Sequence, residues 1–408
     1  MLGWANQFSI CCFLDNNQYS SRHNSYEWLL AVGAIKICAP AENKLDAFNT
    51  FCAGKNDWLF GHFGYDLKNE IEDLYSRHTN YIGFPDLFFF QPEIVIRSAA
   101  EGINIACHTE EPSEIFDSIN AISLQPARRS QQLDIQMRTV KWQYIDTVEK
   151  LRNHILRGDC YEINYCIEFF AEYAMIDPLS VYEQLIKISP NPFSCFYKLH
   201  DKYLLCASPE RYLKKMGNTV LSQPIKGTIK RNTETQQEDE NNIQQLLHSD
   251  KDRSENVMVV DLVRNDLSKI CTDGSVVVDE LFGIYSFPQL HQMISTVKGE
   301  LKEDIDIAEI ISATFPMGSM TGAPKKRVME LIEKYEQTKR GIFSGAVGYI
   351  DPDGDFDFNV VIRSIMYNDS SNYLDYQVGS AITFYSNAAD EFEECLLKAK
   401  AIEKVLME

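Results

Sequence analysis

Residues 224–228 read Pro-Ile-Lys-Gly-Thr, so a single lysine lies between two residues that shape the backbone. Pro224 fixes a backbone dihedral angle at the entry, and Gly227 lacks the Cβ atom that would keep a ligand away from the main chain. A lysine that loses part of its hydration in such a place has a lowered pKa and becomes nucleophilic. The segment therefore predicts Lys226 as a candidate catalytic amine, although a lone lysine in a loop is ordinarily a solvated surface charge.

A second candidate for acid–base chemistry is Glu210, which follows Ser-Pro at the end of the apolar stretch KYLLCASPE, residues 202–210. Burial raises the pKa of a carboxyl group, and a carboxyl that stays protonated near neutral pH can act as a general acid. The simpler alternative is a turn residue at the end of a strand. The pattern alone leaves both interpretations of Glu210 open.

Two distant segments carry carboxylates that suit a divalent cation. Glu255 lies in the amphipathic stretch DRSENVMVVDLV, residues 252–263. Near the C-terminus, Glu391, Glu394 and Lys398 recur at i, i+3 and i+7, which places them on one face of a predicted helix. Two carboxylates from separate helices, completed by water and substrate, suit Mg²⁺. The alternative is a solvated, charged helix face.

Composition excludes several classes of protein. The 408 residues carry a formal charge of −20, from 39 basic and 59 acidic residues, which argues against a nucleic-acid partner. The eleven cysteines contain no Cys-x-x-Cys pair, so we expect free thiols in a reducing cytoplasm and not a zinc site or a disulfide framework. The N-terminus lacks a basic signal-peptide region, and no apolar stretch approaches the ~20 residues that span a membrane. We therefore expect a cytoplasmic protein without a membrane partner.

Strand patterns and helix patterns follow one another in unequal runs. This order favours an α+β fold, with antiparallel sheets and helices outside them, over a regular alternation of parallel strands and helices. KWQYIDTVEKLRNHILRG (141–158) has helical periodicity and ends at a glycine. A polar stretch from His108 to about Gln132 is the best candidate boundary. We therefore predict a β-rich N-terminal subdomain at 1–130 and a catalytic domain at 131–408.

A candidate anion-binding residue, Arg363, follows the turn signal Asp-Pro-Asp-Gly at 351–354. We predict a strand with Phe356, Phe358, Val360 and Ile362 on one face and Asp355, Asp357, Asn359 and Arg363 on the other, which places Arg363 on a polar face. A guanidinium on such a face can bind a carboxylate through two parallel hydrogen bonds. The alternative is a salt bridge to a neighbouring aspartate on the sheet surface.

Five segments in this order resemble the chorismate-utilising enzymes, over about residues 140–405. They are SPE (208–210), PIKGT (224–228), RSENVMVVDLVRNDL (253–267), GSMTGAPKKRVME (318–330) and EFEECLLKAKAI (391–402). The resemblance implies the fold of anthranilate synthase component I, in which antiparallel β-sheets pack face to face with helices on the outside. It also implies an Mg²⁺-dependent enzyme that acts on chorismate.

Lysine at position 226 is characteristic of the family members that add ammonia at C4 of chorismate, for 4-aminobenzoate and folate synthesis, whereas most relatives carry alanine. The resemblance implies that Lys226 is a covalent nucleophile at C2 of the ring. It implies that Glu210 is the general acid on the departing hydroxyl, and that Glu255 and Glu394 bind Mg²⁺. The positions that correspond to substrate-binding residues are Gly227, Thr228, His291, Arg363, Gly379, Ser380, Ala381 and Lys398.

Three positions depart from the family pattern. Glu162 stands where isochorismate and salicylate synthases carry a lysine that activates water, and where ammonia-using members commonly carry glutamine. Alternation places Glu162 and Asn164 on one face of a predicted strand. Ala381 replaces a frequent glycine, and Phe343 replaces a frequent tyrosine whose hydroxyl could bind a carboxylate.

The chain contains no glutaminase nucleophile segment with downstream histidines, so the ammonia would come from a separate glutaminase subunit. Two alternatives stay open. One is an anthranilate synthase component I, which forms anthranilate and pyruvate and against which Lys226 argues. The other is a non-catalytic relative that binds chorismate or a glutaminase.

Overall fold

A computed structural model describes residues 1–19, 23, 25–54, 56–99, 102–122, 133–232, 234–287 and 290–407. Its β-strands are β1 Ile10–Asp15, β2 Trp28–Val32, β3 Lys36–Cys38, β4 Leu59–Phe63, β5 Leu87–Gln91, β6 Ile94–Ala99, β7 Gly102–Cys107, β8 Gln136–Met137, β9 Glu162–Ala171, β10 Phe193–Leu199, β11 Lys202–Ser208, β12 Arg211–Met216, β13 Thr219–Gln223, β14 Ile225–Lys230, β15 Val277–Ser286, β16 Leu290–Glu300, β17 Gly322–Ala323, β18 Ala346–Ile350, β19 Phe356–Asn359, β20 Ser364–Asn368 and β21 Tyr373–Ile382. Its α-helices are α1 Leu2–Ala5, α2 Lys44–Cys52, α3 Lys68–Ile71, α4 Pro112–Asn120, α5 Lys141–Leu156, α6 Pro178–Ile188, α7 Gln236–Leu247, α8 Asp250–Ile270, α9 Ile307–Thr314, α10 Lys325–Tyr335 and α11 Ala388–Met407. Two short 3₁₀ helices span Tyr65–Leu67 and Gly318–Met320.

The strands form two antiparallel sheets. The first sheet has the order β17-β9-β21-β20-β11-β10-β1-β2-β6-β7, and β8 also pairs with β9. The second has the order β14-β16-β13-β12-β19-β18-β4-β5-β3, and β15 also pairs with β16. The predicted α+β class is therefore confirmed.

Strand β9 shows how the sequence sets the two faces of the first sheet. Side chains alternate between the faces of a strand. The odd-numbered residues from Ile163 to Ala171 share an apolar cluster with helices α5, α6, α10 and α11. Cys166 and Phe170 instead belong to the apolar cluster that the first sheet shares with the second. The two sheets therefore pack face to face, with helices on the outer face of the first, as predicted.

Strands from the N-terminal part extend both sheets. β1 pairs with β10, with Ile10 opposite Leu199, and β4 pairs with β18, with Phe63 opposite Ala346. The predicted domain boundary at residue 130 falls within 123–132, outside the described residues.

Helix α11 confirms the helix predicted near the C-terminus. Phe392, Ala399 and Ile402 are buried against the first sheet, while Glu394 and Lys398 stay partly exposed. Within the described ranges, no helix is both long enough and apolar enough to cross a bilayer.

Candidate active site

Lys226 lies at a β-bulge. The pairing of β14 with β16 slips by one residue between Ile225 and Thr228. Gly227 takes a φ of 93° at this step, and a Cβ atom on it would lie 3.0 Å from the Cβ of Asp252. Glycine allows this backbone, and a bulge bends the strand and re-aims a side chain. The sequence thus places Lys226 where an ordinary strand register would not.

The Lys226 ammonium forms a buried ion pair with Glu162. Its Nζ lies 2.7 Å from Glu162 Oε1, and the two side chains are 10% and 2% exposed. Burial alone would lower the pKa of Lys226, but the carboxylates of Glu162, Glu255 and Glu210 outweigh burial and raise this pKa above its ordinary value. The prediction that desolvation lowers the pKa of Lys226 is therefore wrong. To act as a nucleophile, Lys226 must first give up a proton.

Glu210 occupies the connection between β11 and β12, beside the ion pair. Its main-chain N–H donates a 3.2 Å hydrogen bond to Ser208 Oγ, and its carbonyl accepts one from the N–H of Val360 at 3.0 Å. Burial raises the pKa of the Glu210 carboxyl to about 7, even though Lys226 and Arg363 both oppose the shift. A carboxyl that holds its proton up to neutral pH is suited to general-acid catalysis.

Arg363 lies where the chain passes from one sheet to the other. The alternation predicted through Arg363 holds only as far as Asn359, where β19 of the second sheet ends, because β20 of the first sheet begins at Ser364. Arg363 has a left-handed backbone with φ of 52°. Such a conformation costs a non-glycine residue about 1–2 kcal/mol and is frequent at functional sites.

The guanidinium of Arg363 makes no ion pair or hydrogen bond with the part of the chain that the structure describes. Burial lowers its pKa to about 10, against the opposing effect of Glu210. The group therefore stays charged at neutral pH. A half-buried cation without a partner in the protein is suited to bind a substrate carboxylate.

Carboxylates from α8 and α11 converge around Lys251, which lies one turn before Glu255. The Nζ of Lys251 is 3.9 Å from Glu255, 3.3 Å from Glu391 and 4.0 Å from Glu394. Lys398 lies 2.7 Å from Glu394. Burial raises the pKa of Glu255 to about 7. Burial alone would raise the pKa of Glu394, but the cations of Lys398 and Lys251 outweigh burial and lower the pKa of that carboxyl.

This acidic cluster fits a divalent cation in part. Glu255 Oε1 and Glu391 Oε2 are buried acceptors for which the described residues provide no hydrogen-bond donor. Buried oxygens of this kind need a donor or a cation. Among the described residues, however, no three acidic, His or Cys side chains are already arranged as a metal-ligand set. A metal ion here would therefore need further ligands from water or substrate, which is usual for Mg²⁺.

The residues of β21 that correspond to substrate-binding positions face different surroundings. A Cβ atom on Gly379 would lie 2.5 Å from the Sγ of Cys166, so the two strands approach closely only because this residue is glycine. The Gly379 carbonyl accepts a 2.8 Å hydrogen bond from Lys398 Nζ. The Ser380 hydroxyl lies 2.8 Å from the hydroxyl of Tyr144 on α5, so its side chain faces the helices.

Two further predicted positions lie apart from the ion pair. His291 is fully buried and lies 2.8 Å from Ser286 Oγ and 2.9 Å from Asp239 Oδ1. No described hydrogen bond or ion pair joins His291 to Lys226. Thr228 follows the bulge on β14 and is exposed.

The two other departures from the family pattern are both buried. Ala381 pairs with Asn164 across β21 and β9 and faces the inner side of the first sheet. Phe343 is 1% exposed in the core between the sheets.

Sequence reasoning missed the partners of the predicted residues. It assigned no role to Glu162, although strand alternation had placed that carboxylate on the same face as Asn164. It also passed over Lys251, whose i, i+4 spacing to Glu255 was visible in the sequence.

Almost the whole chain matches one protein family: residues 18–404 match the family described as chorismate binding enzyme. The chain belongs to the chorismate-binding enzymes. This membership confirms the resemblance on which the fold prediction depended.

Two relatives of this chorismate-binding enzyme are named aminodeoxychorismate synthase. The chain is 34% identical over 380 residues to the chloroplastic aminodeoxychorismate synthase of Arabidopsis thaliana, and the match covers 88% of this chain but 41% of that protein. It is 30% identical over 361 residues to aminodeoxychorismate synthase component 1 of Bacillus subtilis, with coverage of 85% and 76%. The chain thus spans less than half of the plant protein and about three quarters of the bacterial one.

A solved structure has the same fold. Anthranilate synthase component I from Streptococcus pneumoniae superposes with a TM-score of 0.82, covering 94% of this chain and 95% of its own. The two sequences are 24% identical. The predicted anthranilate synthase component I-like fold is therefore confirmed.

Proposed function

We propose that this chorismate-binding enzyme is component I of aminodeoxychorismate synthase, which converts chorismate and ammonia to 4-amino-4-deoxychorismate for 4-aminobenzoate and folate synthesis. The observation that carries the proposal is the buried Lys226, held 2.7 Å from Glu162 and influenced by Glu210 and Glu255. Relatives named aminodeoxychorismate synthase, at 30% and 34% identity, support the same activity.

Lys226, Glu210 and Arg363 each have a role in the proposed reaction. Lys226, once deprotonated, attacks C2 of the ring, the ring double bonds shift, and the hydroxyl leaves C4 with a proton from Glu210. Ammonia then adds at C4 and expels the Lys226 amine from C2. Arg363 holds a substrate carboxylate through bidentate hydrogen bonds. The new amine therefore ends para to the ring carboxylate, and the enolpyruvyl group is retained.

Glu255 and Glu394 are the residues that would hold Mg²⁺ in this proposal. The Oε1 of Glu255, which accepts no hydrogen bond from the described residues, and the converging carboxylate of Glu391 support a cation at this place. A bound Mg²⁺ would supply positive charge against a substrate carboxylate in a strongly acidic protein.

The ammonia source and the location belong to the proposal as well. The relative named component 1 implies a partner subunit, and we propose that this partner is a glutaminase. All eleven cysteines are free thiols, which supports a cytoplasmic location.

Product analysis tests the proposed function. The purified chain would be incubated with chorismate, Mg²⁺ and an ammonium salt, and the products would be separated by chromatography with mass detection. We expect a species in which the hydroxyl is replaced by an amine and the enolpyruvyl group is retained. Anthranilate with free pyruvate would identify an anthranilate synthase component I instead. Absence of Mg²⁺-dependent turnover would identify a non-catalytic relative.

Substitution of Glu394 tests the metal assignment. Glu394→Ala should raise the Mg²⁺ concentration needed for half-maximal turnover by about tenfold or more, because one of two charged ligands is lost. The free energy of unfolding should change little, since this side chain is 40% exposed. The matched control is Glu393→Ala on the same helix, whose carboxylate is 60% exposed and pairs with Lys141. An unchanged Mg²⁺ requirement for Glu394→Ala would contradict the assignment.

A further inference from the structure

We propose that Glu162 is a catalytic residue that takes a proton from the incoming ammonia and returns one to the departing Lys226. The inference rests on the proposed function and extends it to the nitrogen nucleophile. It gives a role to the one site residue that differs from both the lysine and the glutamine of other family members.

The two oxygens of the Glu162 carboxylate have different surroundings. Oε1 lies 2.7 Å from the Nζ of Lys226. Oε2 is buried and finds no hydrogen-bond donor within the described ranges, in a residue that is 1% exposed. Leaving a buried acceptor without a donor destabilises the protein. Such an oxygen beside the catalytic amine points to a donor that arrives with the substrates.

The chemistry of the substrates selects that donor. Chorismate offers two carboxylates, which only accept hydrogen bonds, and one hydroxyl. A carboxylate oxygen cannot hydrogen-bond to another carboxylate, because neither supplies a donor. The departing hydroxyl receives its proton from Glu210. Ammonia is the remaining substrate, and its N–H groups can donate to Glu162 Oε2. Ammonia would then be held within reach of the ring that Lys226 attacks.

The protons balance over one cycle. Lys226 first gives its proton to Glu162 Oε1 and attacks C2, while Glu210 gives its proton to the hydroxyl that leaves as water. Ammonia then forms the bond to C4, and the electron pair of the C2–N bond returns to the Lys226 amine. Oε1 then returns its proton to Lys226, and the carboxylate restored in this way takes a proton on Oε2 from the new C4 ammonium group. The proton left on Oε2 passes through solvent to Glu210, so chorismate and ammonia give aminodeoxychorismate and water.

The test compares Glu162→Gln with a matched control, Glu168→Gln, under saturating chorismate and varied ammonium salt. Glu168 lies on the same face of β9, is 3% exposed and forms an ion pair with the half-buried Arg138. Its substitution therefore removes a buried carboxylate and its ion pair from the same face without touching the nitrogen site. Glutamine keeps the shape of Glu162 but cannot accept a proton.

We expect Glu162→Gln to lower kcat/KM for ammonia by about tenfold or more and to leave KM for chorismate within about twofold. The control should keep both within about twofold. Glu162→Asp, which retains a carboxylate, should recover part of the loss, which a purely structural role would not predict. Circular dichroism and thermal unfolding check that each variant is folded.

A kcat/KM for ammonia within twofold of the wild type in Glu162→Gln would overturn the inference. The product formed by the wild type distinguishes failure of this inference from failure of the proposed function. If the wild type forms aminodeoxychorismate and Glu162→Gln is unimpaired, only the proton relay is wrong. If the wild type forms anthranilate or no product, the proposed function fails and the relay through Lys226 fails with it.

Discussion

Lys226→Arg and Lys226→Ala are both expected to abolish formation of 4-amino-4-deoxychorismate, with a loss of kcat on the order of 10³-fold or more. Alanine removes the nucleophile. Arginine keeps the positive charge opposite Glu162, but a guanidinium is not deprotonated in proteins and cannot attack the ring.

The two substitutions separate catalysis from folding. Loss of the Lys226 ammonium leaves the buried carboxylate of Glu162 without its cation, and breaking a buried ion pair in this way costs about 3–5 kcal/mol. Lys226→Ala should therefore also unfold at a lower denaturant concentration. Lys226→Arg should retain most of the stability while losing turnover.

The measurement is product formation by mass-resolved chromatography, together with the intact mass of protein incubated with chorismate in the absence of ammonia. The wild type should carry a covalent adduct, and neither variant should carry one. Lys230→Ala, an exposed lysine on the same strand, is the matched control. Undiminished turnover in Lys226→Arg would eliminate the nucleophilic role.

The parts of the fold that sequence predicted correctly depend on local signals. The alternation in β9 and the helical spacing in α11 each depend on residues a few positions apart, so both could be read directly. The passage of the chain between sheets at 360–363 could not be predicted in this way, because the apolar run Val360-Val361-Ile362 ends the alternation without showing which sheet the chain enters next. Pairing of β1 with β10 joins segments more than 170 residues apart and leaves no local pattern.

The chemistry of the candidate site was likewise only partly predictable from local sequence. Motif order identified Lys226 and Glu210, but the pKa of Lys226 depends on carboxylates from other segments. Reasoning from the local sequence considered only desolvation and therefore predicted a lowered pKa for Lys226. The carboxylates of Glu162 and Glu255 raise this pKa instead, because the fold brings them close to Lys226. Partners in space, more than the predicted residues themselves, therefore decide the chemistry.

Glu210→Gln is expected to impair turnover and to stabilise the protein at alkaline pH. Glutamine cannot protonate the departing hydroxyl, so kcat should fall by about 10²–10⁴-fold. In the wild type the pKa of Glu210 is raised by burial to about 7 from an ordinary 4.5, so the general acid loses its proton as the pH rises through 7. Turnover by the wild type should decline over the same range.

The effect on stability follows from the same pKa with its sign worked out. Between pH 4.5 and 7 the folded state holds a proton on Glu210 that the unfolded state releases, so this group destabilises the fold progressively as the pH rises through that window. The full loss is about 3 kcal/mol at most for a shift of this size. Glutamine has no charge to bury, so Glu210→Gln should match the wild type near pH 5 and exceed it at pH 8. Urea unfolding at both values measures this difference, and Glu172→Gln, at an exposed position, should show none. A variant that is less stable than the wild type at pH 8 would contradict the raised pKa of Glu210, and a variant that keeps its turnover would contradict its role as general acid.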